Sequence, residues 1–338
     1  MLLHPPALHR LQQLGVMSEA IACGAPVRRI CAQTLHGRPL MDFGYGDIVA
    51  GQSGLGIQRS TLHRLLSNAD SGRDQVCVGC KIVSIDPDHG YLMEESSVRH
   101  GPFDLIIVAD GTHSLLRKRI SASKRYERPA NSAALVGLLD DPVGLAGDRL
   151  MQYFDSTRHL SVWPVGRESS TDPPRCGIAM NVPLAQAAIF RDSGLWRNLM
   201  THLFPGVGRM VNDSIENHNL HIYTYRDVEL NRCSFGRAVV IGDAAHSMSP
   251  QLGNGAQLAM EDAAKLATAV DQHDDLPSAL NAYALNRSPQ LRRYHRASRW
   301  LTPLFQSDSR VLAMVRDHLF VYAMRLPTAK RVVHALLF

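Results

Sequence analysis

The stretch R-A-V-V-I-G-D-A-A-H-S-M-S-P-Q-L-G-N-G-A-Q-L-A-M-E-D-A-A, residues 237–264, decides how this chain is read. Four elements follow one another in it. An apolar run, Ala238–Ile241, ends in Gly242-Asp243, and a polar loop carries His246, Ser247, Ser249 and Pro250. Then come Gly253-Asn254-Gly255 and an Ala-rich helix. The apolar run predicts a strand, and an acid at its C-terminal end stands where open α/β sheets place their ligands. A Gly-x-Gly at the first turn of a helix lets a ligand approach bare backbone and its unbonded N–H groups. Together these elements suit a ligand with a polyol for the carboxylate and an electron-rich ring for the N–H groups. His246 reads as a structural histidine of the loop rather than a base. Glu261, four residues before Lys265, reads as a helix-surface residue.

A second strand–acid–helix corner lies at D-L-I-I-V-A-D-G-T-H-S-L-L-R-K-R-I, residues 104–120. Gly111 permits a turn that a Cβ would hinder. Asp110 is placed to accept hydrogen bonds from turn N–H groups, and Arg117, one helical turn beyond Ser114, is of the type that meets a phosphate. Alone, the corner reads equally as a capped turn. A third segment, I-Q-R-S-T-L-H-R-L-L at 57–66, sets Arg59 before a short helix with Ser60 as its N-cap. Alone, Arg59 reads as an exposed loop arginine.

Around these corners the pattern alternates between helix and strand. Residues 6–22 read as one helix stopped by Gly24. Residues 75–85 and 91–98 read as strands joined by the turn Asp86–Gly90, and 103–109 as a strand buried on both faces. From about 126 to 227 extended segments recur (133–139, 150–154, 160–165, 177–182, 219–225), with one helix at 184–203. After the strand at Ala238 the pattern is helical to the end. The expected architecture is therefore an α/β domain with an inserted β-rich domain and a helical C-terminus.

The net charge is +5, with arginines clustered late at Arg287, Arg292, Arg293, Arg296 and Arg299. No motif or aromatic interleaving supports nucleic-acid binding, so these arginines read as a solvated helix face that also attracts anionic ligands. No apolar run reaches the length of a membrane span, and His4, Pro5, Pro6, His9 and Arg10 interrupt any secretory h-region. A cytoplasmic location follows. Six scattered cysteines then imply reduced thiols. Cys77-Val-Gly-Cys80 has C-x-x-C spacing, but it stands alone in a β-branched run and reads as a pair of buried strand cysteines, neither metal-binding nor redox-active. No metal site is expected.

Taken together, the three corners resemble the class A FAD-dependent aromatic hydroxylases, the group of p-hydroxybenzoate hydroxylase and the ubiquinone-biosynthesis hydroxylases. That family's Arg-x-x-Leu is matched by Arg59-Ser-Thr-Leu62 and its Asp-Gly motif by Ala109–Arg117. Its Gly-Asp motif, G-D-A-A-H-x-x-x-P-x-x-G-x-G followed by D-A, is matched without a gap from Gly242 to Ala263. The resemblance covers nearly the whole chain. It implies an FAD-binding Rossmann-like domain at 1–26, 59–125 and 231–338, and a β-rich substrate domain at 27–58 and 126–230. It implies that Asp243, with Gly242 before it, binds the flavin ribityl hydroxyls. Gly253, Asn254, Gly255 and Ala256 would meet the isoalloxazine, and Pro250 would lie beside the ring's reactive edge. Arg59 would approach the ribityl–pyrophosphate region, which Asp110 and Gly111 would support. Tyr153 and Trp163, with Pro250, would face a small aromatic substrate. The implied activity is hydroxylation of an aromatic or quinone-like molecule with NAD(P)H and O2 through a flavin C4a-hydroperoxide.

One family feature is missing. The family opens with a β-α-β unit of about 30 residues carrying G-x-G-x-x-G, and Gly51-Gln-Ser-Gly54-Leu-Gly56 has the wrong spacing. The chain therefore reads as a truncated or naturally short relative with an exposed sheet edge, open to pairing with another chain. Alternatives that stay open are a weakly FAD-binding or inactive scaffold and an FAD reductase or oxidase. The apolar C-terminal segment, 311–338, leaves open internal packing, a homodimer contact or a peripheral membrane contact.

Overall fold

The structure is a computed structural model. It describes residues 1–69, 76–120, 124–141, 144, 146–155, 158–169, 171–187, 198, 200–202, 221–305, 309–320, 322 and 326–338. The chain divides into two compact units, Met1–Asp70 with Asn131–Thr224 and Trp300–Phe338, and Ser71–Ala130 with Tyr225–Arg299. Residues 1–26, 59–70 and 300–338 thus group with the unit that carries the larger sheet.

The first unit carries most of a mixed seven-stranded sheet, whose first two strands begin or end in residues 124–130 and 225–230 of the second. Its order is His221–Leu230, Lys124–Asp140, Arg175–Pro183, His159–Gly166, Arg149–Phe154, Arg29–Thr34, Pro39–Gly44. One face carries the main apolar core: Leu135, Leu139, Leu160, Val162, Ile178, Met180 and Val182, all buried. The period-two alternation of strands fixes the opposite face as Gln152, Ser161, Trp163, Gly177 and Ala179. A small sheet of Leu2–Leu3, Gly54–Gly56 and Ala25–Val27 stands beside it.

In the second unit the strands Ile106–Val108 and Ala238–Val240 run parallel, with Ala238 opposite Ile106 and Val240 opposite Val108. One face of this pair, with Leu116, Ala244 and Ala245, packs against Ile82, Ile85 and Leu92 of the antiparallel sheet Ile82–Asp86, Tyr91–Glu94, Arg99–His100. On the other face Val239 and Ile241 pack against Leu266, Ala269, Leu280 and Tyr283. These come from the helices Gly255–Gln272 and Leu276–Phe305. Burial on both sides explains the unbroken apolar reading of 238–241.

The mixed α/β architecture and the helical C-terminus agree with the sequence reading, and several details differ. The first helix is two, Pro5–Gln13 and Met17–Cys23, broken where Gly15 takes φ +75°. The Arg59 helix starts at Arg59 itself and runs to Ala69, so Ser60 is inside it rather than its cap. The strand expected at 75–85 is Ile82–Asp86. Cys77 and Cys80 precede it on an exposed turn and are not buried strand residues. The strand expected at 103–109 is Ile106–Val108. It pairs, among the described strands, with Ala238–Val240 alone, which leaves Ile107 50% exposed at the sheet's edge. The 184–203 helix begins as Leu184–Ala187; residues 188–197, 199 and 203, like 219–220 of another expected strand, lie outside the described residues. Among the described residues no helix is long and apolar enough to cross a membrane.

The strand Gly54–Gly56 passes so close to its neighbour that a Cβ on Gly56 would stand 1.7 Å from the Pro164 carbonyl oxygen. Two backbones would have to separate. Gly56→Ala is therefore expected to cost about 3 kcal/mol of stability, read as a lowered urea midpoint at unchanged slope. An unaltered midpoint would contradict this packing.

Candidate functional site

The parallel pair brings the two acid corners to one end of one sheet. Asp110 follows Ile106–Val108, and Gly242-Asp243 follows Ala238–Val240, so both carboxylates emerge beyond the strands' C-terminal ends. Both are exposed. The turn at Gly242 has φ +59° and ψ −149°, a conformation closed to side-chain-bearing residues. From it the Asp243–His246 helix begins at once. Asp243 keeps acceptor capacity, because Thr112 Oγ1 stands at 3.5 Å from Asp243 Oδ2 and lies closer, 3.0 Å, to Ser247 Oγ.

The Gly-x-Gly faces the same acid. Gly253 is left-handed, with φ +67°, and caps the short Pro250–Leu252 helical turn. Asn254 then opens the 18-residue helix Gly255–Gln272 without capping it through its side chain. A Cβ on Gly255 would lie 3.6 Å from Asp243 Oδ1. Gly253 and Gly255 are exposed, while Asn254 is buried. An uncapped first turn leaves N–H donors for a ligand, and the helix N-terminus adds about 0.3–1 kcal/mol of preference for negative charge, up to ~2 when partly buried. Gln257 Oε1, buried in that first turn, has no hydrogen-bond partner among the described residues. Gly111, at φ +82°, has no atom within 4 Å of a built Cβ. These features fit a ligand that brings hydroxyl donors to Asp243 and acceptors to the helix.

Behind the site is a buried polar network that the motifs did not reveal. Asp262 is fully buried. Its Oδ2 accepts from the Gly242 N–H at 2.7 Å and from His246 Nε2 at 2.5 Å, and its Oδ1 accepts from Arg287 Nε at 2.6 Å. Arg287 also donates to the Leu258 carbonyl at 3.0 Å and to Gln290 Oε1. The buried Tyr294 hydroxyl is hydrogen-bonded to Gln290 and to Asn254. One chain of polar contacts therefore joins the Gly242 turn to the Asn254 turn. His246 ends the Asp243–His246 helix with its imidazole buried on Asp262, and Arg287 is buried, not part of a solvated face. Arg299, half-buried, pairs with Asp227 and Glu229, while Arg292, Arg293 and Arg296 are exposed.

Arg117 also departs from expectation. It is fully buried, donating to the Ala244 carbonyl at 2.7 Å, the Thr112 carbonyl at 3.1 Å and Glu127 at 3.3 Å. It fastens the Asp-Gly corner to the Gly-Asp corner and is not free for a phosphate. Ser114 Oγ caps its helix, accepting from the Arg117 N–H at 2.9 Å. Asp110 accepts the Leu116 N–H at the long distance of 3.5 Å.

In the other unit Arg59 is exposed at the first position of its helix. Tyr153 and Trp163 lie on opposite faces of the seven-stranded sheet. Tyr153 is paired with Leu160 and packs on the main core; Trp163 lies across from Gly177 with its ring over that glycine. They do not line one pocket together. Trp163 Nε1 has no partner among the described residues, and Gln152 Nε2 bonds Ser161 Oγ at 3.2 Å on the same face. Among the described residues no group of His, Cys, Asp and Glu is arranged to hold a metal ion.

Asp262 gives the network a pH signature. Burial alone would raise its carboxyl; the His246 hydrogen bond, the His246 and Arg287 charges and the Gly242 N–H outweigh burial and hold it below the ordinary range. A depressed folded-state value means stability that is complete above the unfolded carboxylate value, about 3.9, and lost as pH falls through the folded one. Asp262→Asn strands the Arg287 charge and is expected to cost about 3–5 kcal/mol near neutrality. Denaturant titrations from pH 7 down to about 3 should show the gap between wild type and variant narrowing below about pH 4. A gap independent of pH would remove the charge from this account.

The sequence model of the FAD binding domain matches residues 94–298. The FAD-dependent urate hydroxylase of Klebsiella pneumoniae subsp. pneumoniae is 25% identical over 297 residues, covering 85% of this chain and 75% of that protein. The 3-amino-4-hydroxybenzoate 2-monooxygenase of Streptomyces cremeus is 27% identical over 310 residues, covering 90% and 77%. Among solved structures, Klebsiella pneumoniae HpxO complexed with FAD and uric acid superimposes with a TM-score of 0.81 at 22% identity, covering all of this chain and 86% of that one.

Proposed function

We propose, because the chain belongs to the FAD-binding domain family and within it to the class A FAD-dependent aromatic hydroxylases, that it is a monooxygenase placing one hydroxyl on an electron-rich aromatic ring. In the proposed reaction NAD(P)H gives two electrons, one atom of O2 enters the ring and the other leaves as water. The observation that carries this reading is the exposed Asp243 carboxylate beside the uncapped Gly253-Asn254-Gly255 turn.

When bound, FAD supplies the redox and oxygen chemistry. The chain's own residues hold and orient it. Asp243 accepts hydrogen bonds from ribityl hydroxyls. The N–H groups of Gly255 and Ala256, with those of Gly253 and Asn254 before them, meet the pyrimidine end of the ring and stabilise negative charge there. Pro250, exposed in its helical turn, walls the ring's reactive edge. Asp110, Gly111 and Arg59 serve the ribityl–pyrophosphate region. Trp163 faces the substrate with an indole N–H available for a heteroatom, and Tyr153 belongs to the core. The two relatives named above act, by their names, on urate and on an amino-hydroxybenzoate. A planar ring bearing donor heteroatoms is the substrate class proposed here.

Purified protein supplied with FAD should show near-UV and blue absorption. It should consume NAD(P)H faster when the right aromatic is added, with stoichiometric hydroxylated product. Consumption without product would replace the reading with a reductase or oxidase, and failure to take up FAD would end it. Tyr294→Phe removes one hydroxyl from the chain of contacts behind Asn254. It is expected to weaken FAD binding roughly fivefold, matching about 1 kcal/mol for one net hydrogen bond. Fluorescence titration of the apoprotein measures it, and equal affinity in variant and wild type would disconnect Tyr294 from the cofactor.

A further inference from the structure

The C-x-x-C at 77–80 is left unused by the flavin chemistry, and the fold places it unlike the other cysteines. Cys77 and Cys80 are both exposed, flanked by Val76 at 64% and Val78 at 86% exposure. Cys23 and Cys176 are buried, and Cys31 and Cys233 are half-buried. Burial pushes Cys176 up to about 12 and Cys233 up to about 11, which keeps both as inert thiols.

The local geometry favours closure between the two exposed thiols. Val78-Gly79 form the centre of a tight turn, and Gly79 has φ +79°, the value that the third residue of a type II turn needs and that glycine adopts without strain. Such a turn holds its first and fourth Cα atoms within about 7 Å. A disulfide closes over Cα separations of about 4.4–6.8 Å. The Cys77 and Cys80 side chains already hydrogen-bond one another. Beyond the turn, Lys81 Nζ meets Glu95 Oε1 at 2.5 Å and the Glu95 N–H donates to the Lys81 carbonyl at 2.8 Å. The end of the turn is thereby tied to the Ile82–Glu94 hairpin, so closure stays local.

We propose that Cys77 and Cys80 form a reversible dithiol–disulfide site whose substrate class is the low-molecular-weight disulfides. The Cys77 thiolate attacks one sulfur of the small disulfide; that S–S bond breaks, a mixed disulfide forms, and the first small thiol leaves with the proton that Cys77 gave up. The Cys80 sulfur then attacks Cys77 Sγ, the mixed disulfide breaks, and the second small thiol leaves with the proton of Cys80. Two protein thiols are oxidised by two electrons, one protein disulfide forms, and one small disulfide becomes two thiols. In this scheme Cys77 makes the first attack and Cys80 resolves the mixed disulfide; partial desolvation, then the Glu94 carboxylate and Cys77, raise the Cys80 thiol above its usual range.

The test uses the whole, reduced protein with oxidised glutathione, followed by thiol counting, intact mass and peptide mapping. Wild type should lose two titratable thiols and the mass of two hydrogens, carry no adduct, and map a Cys77–Cys80 link that dithiothreitol reverses. Cys80→Ser should instead stop at a stable mixed disulfide on Cys77. Both positions are exposed, so the serine variants should fold like wild type. A wild-type protein that keeps all its thiols, that retains glutathione, or that links either cysteine to a different partner overturns the proposal. None of these outcomes depends on flavin or on hydroxylase activity.

Discussion

A single buried carboxylate constrains the candidate site. Asp262 sits without solvent in the Gly255–Gln272 helix, and its two oxygens are shared by a backbone N–H, an imidazole and a guanidinium. Removing an ion from water costs several kcal/mol, so such a group is stable only when every partner is in place. The three partners come from three elements: the turn after the central strand, the short helix behind it, and the long C-terminal helix. Their shared need for Asp262 fixes where Gly242 stands, and with it the direction in which Asp243 leaves the sheet. The energetic role of the network is therefore positional. Hydrophobic residues of equal volume could pack as well, but they could not hold a glycine turn at φ +59° by its N–H.

Arg117 solves the complementary problem one strand away. The ends of two parallel strands carry carbonyls that the sheet does not satisfy, and two acids emerge there together. A buried guanidinium spanning the Thr112 and Ala244 carbonyls, neutralised by Glu127, joins the two corners into one body. Lysine could not take this place, because a point charge lacks the planar fork that reaches two carbonyls and a carboxylate at once. Arg287 uses the same geometry on Asp262, Leu258 and Gln290. In both cases a buried positive charge is committed to structure, which leaves the exposed Asp243 carboxylate and the uncapped helix N–H groups as the polar groups open at this end of the sheet.

The pattern of what the sequence revealed follows from this. Residues 237–264 were legible because strand, acid, glycine turn and helix are consecutive there, and each is recognisable from local chemistry. The helical pattern that follows the Ala238 strand was legible too. The partners of Asp262 were not, since Arg287 lies 25 residues further on and nothing local announces the pairing. A signal did exist: Leu258, Asp262 and Leu266 share one face at four-residue spacing, and an acid on an apolar stripe implies a buried counter-charge. An arginine after Asp-Gly is chemically suited to phosphate, and only the fold shows Arg117 buried with both terminal nitrogens engaged by protein oxygens. The C-x-x-C departs from its expected strand for another reason. Val76 and Val78 argue for a strand, but Gly79 turns the chain before the strand begins.

The seat that results is asymmetric in charge. On one side stands a full negative charge with unused acceptor capacity, Asp243; a few ångströms away are the uncapped N–H groups of a helix, with about half a positive charge. A ligand bridging them must itself be polar in the opposite sense, with hydroxyl donors toward the acid and carbonyl or anionic ring atoms toward the helix. Glycine at 253 and 255 fits the same logic, since backbone donors reach a ligand only when no side chain holds it away. The helix term alone, at most about 2 kcal/mol, biases a reduction equilibrium by under two decades. Direct N–H contacts must supply the remainder for any such ligand, which makes the orientation of the Asn254 turn, held from behind by Tyr294 and the Asp262 network, the constraint on what this end of the helix can bind.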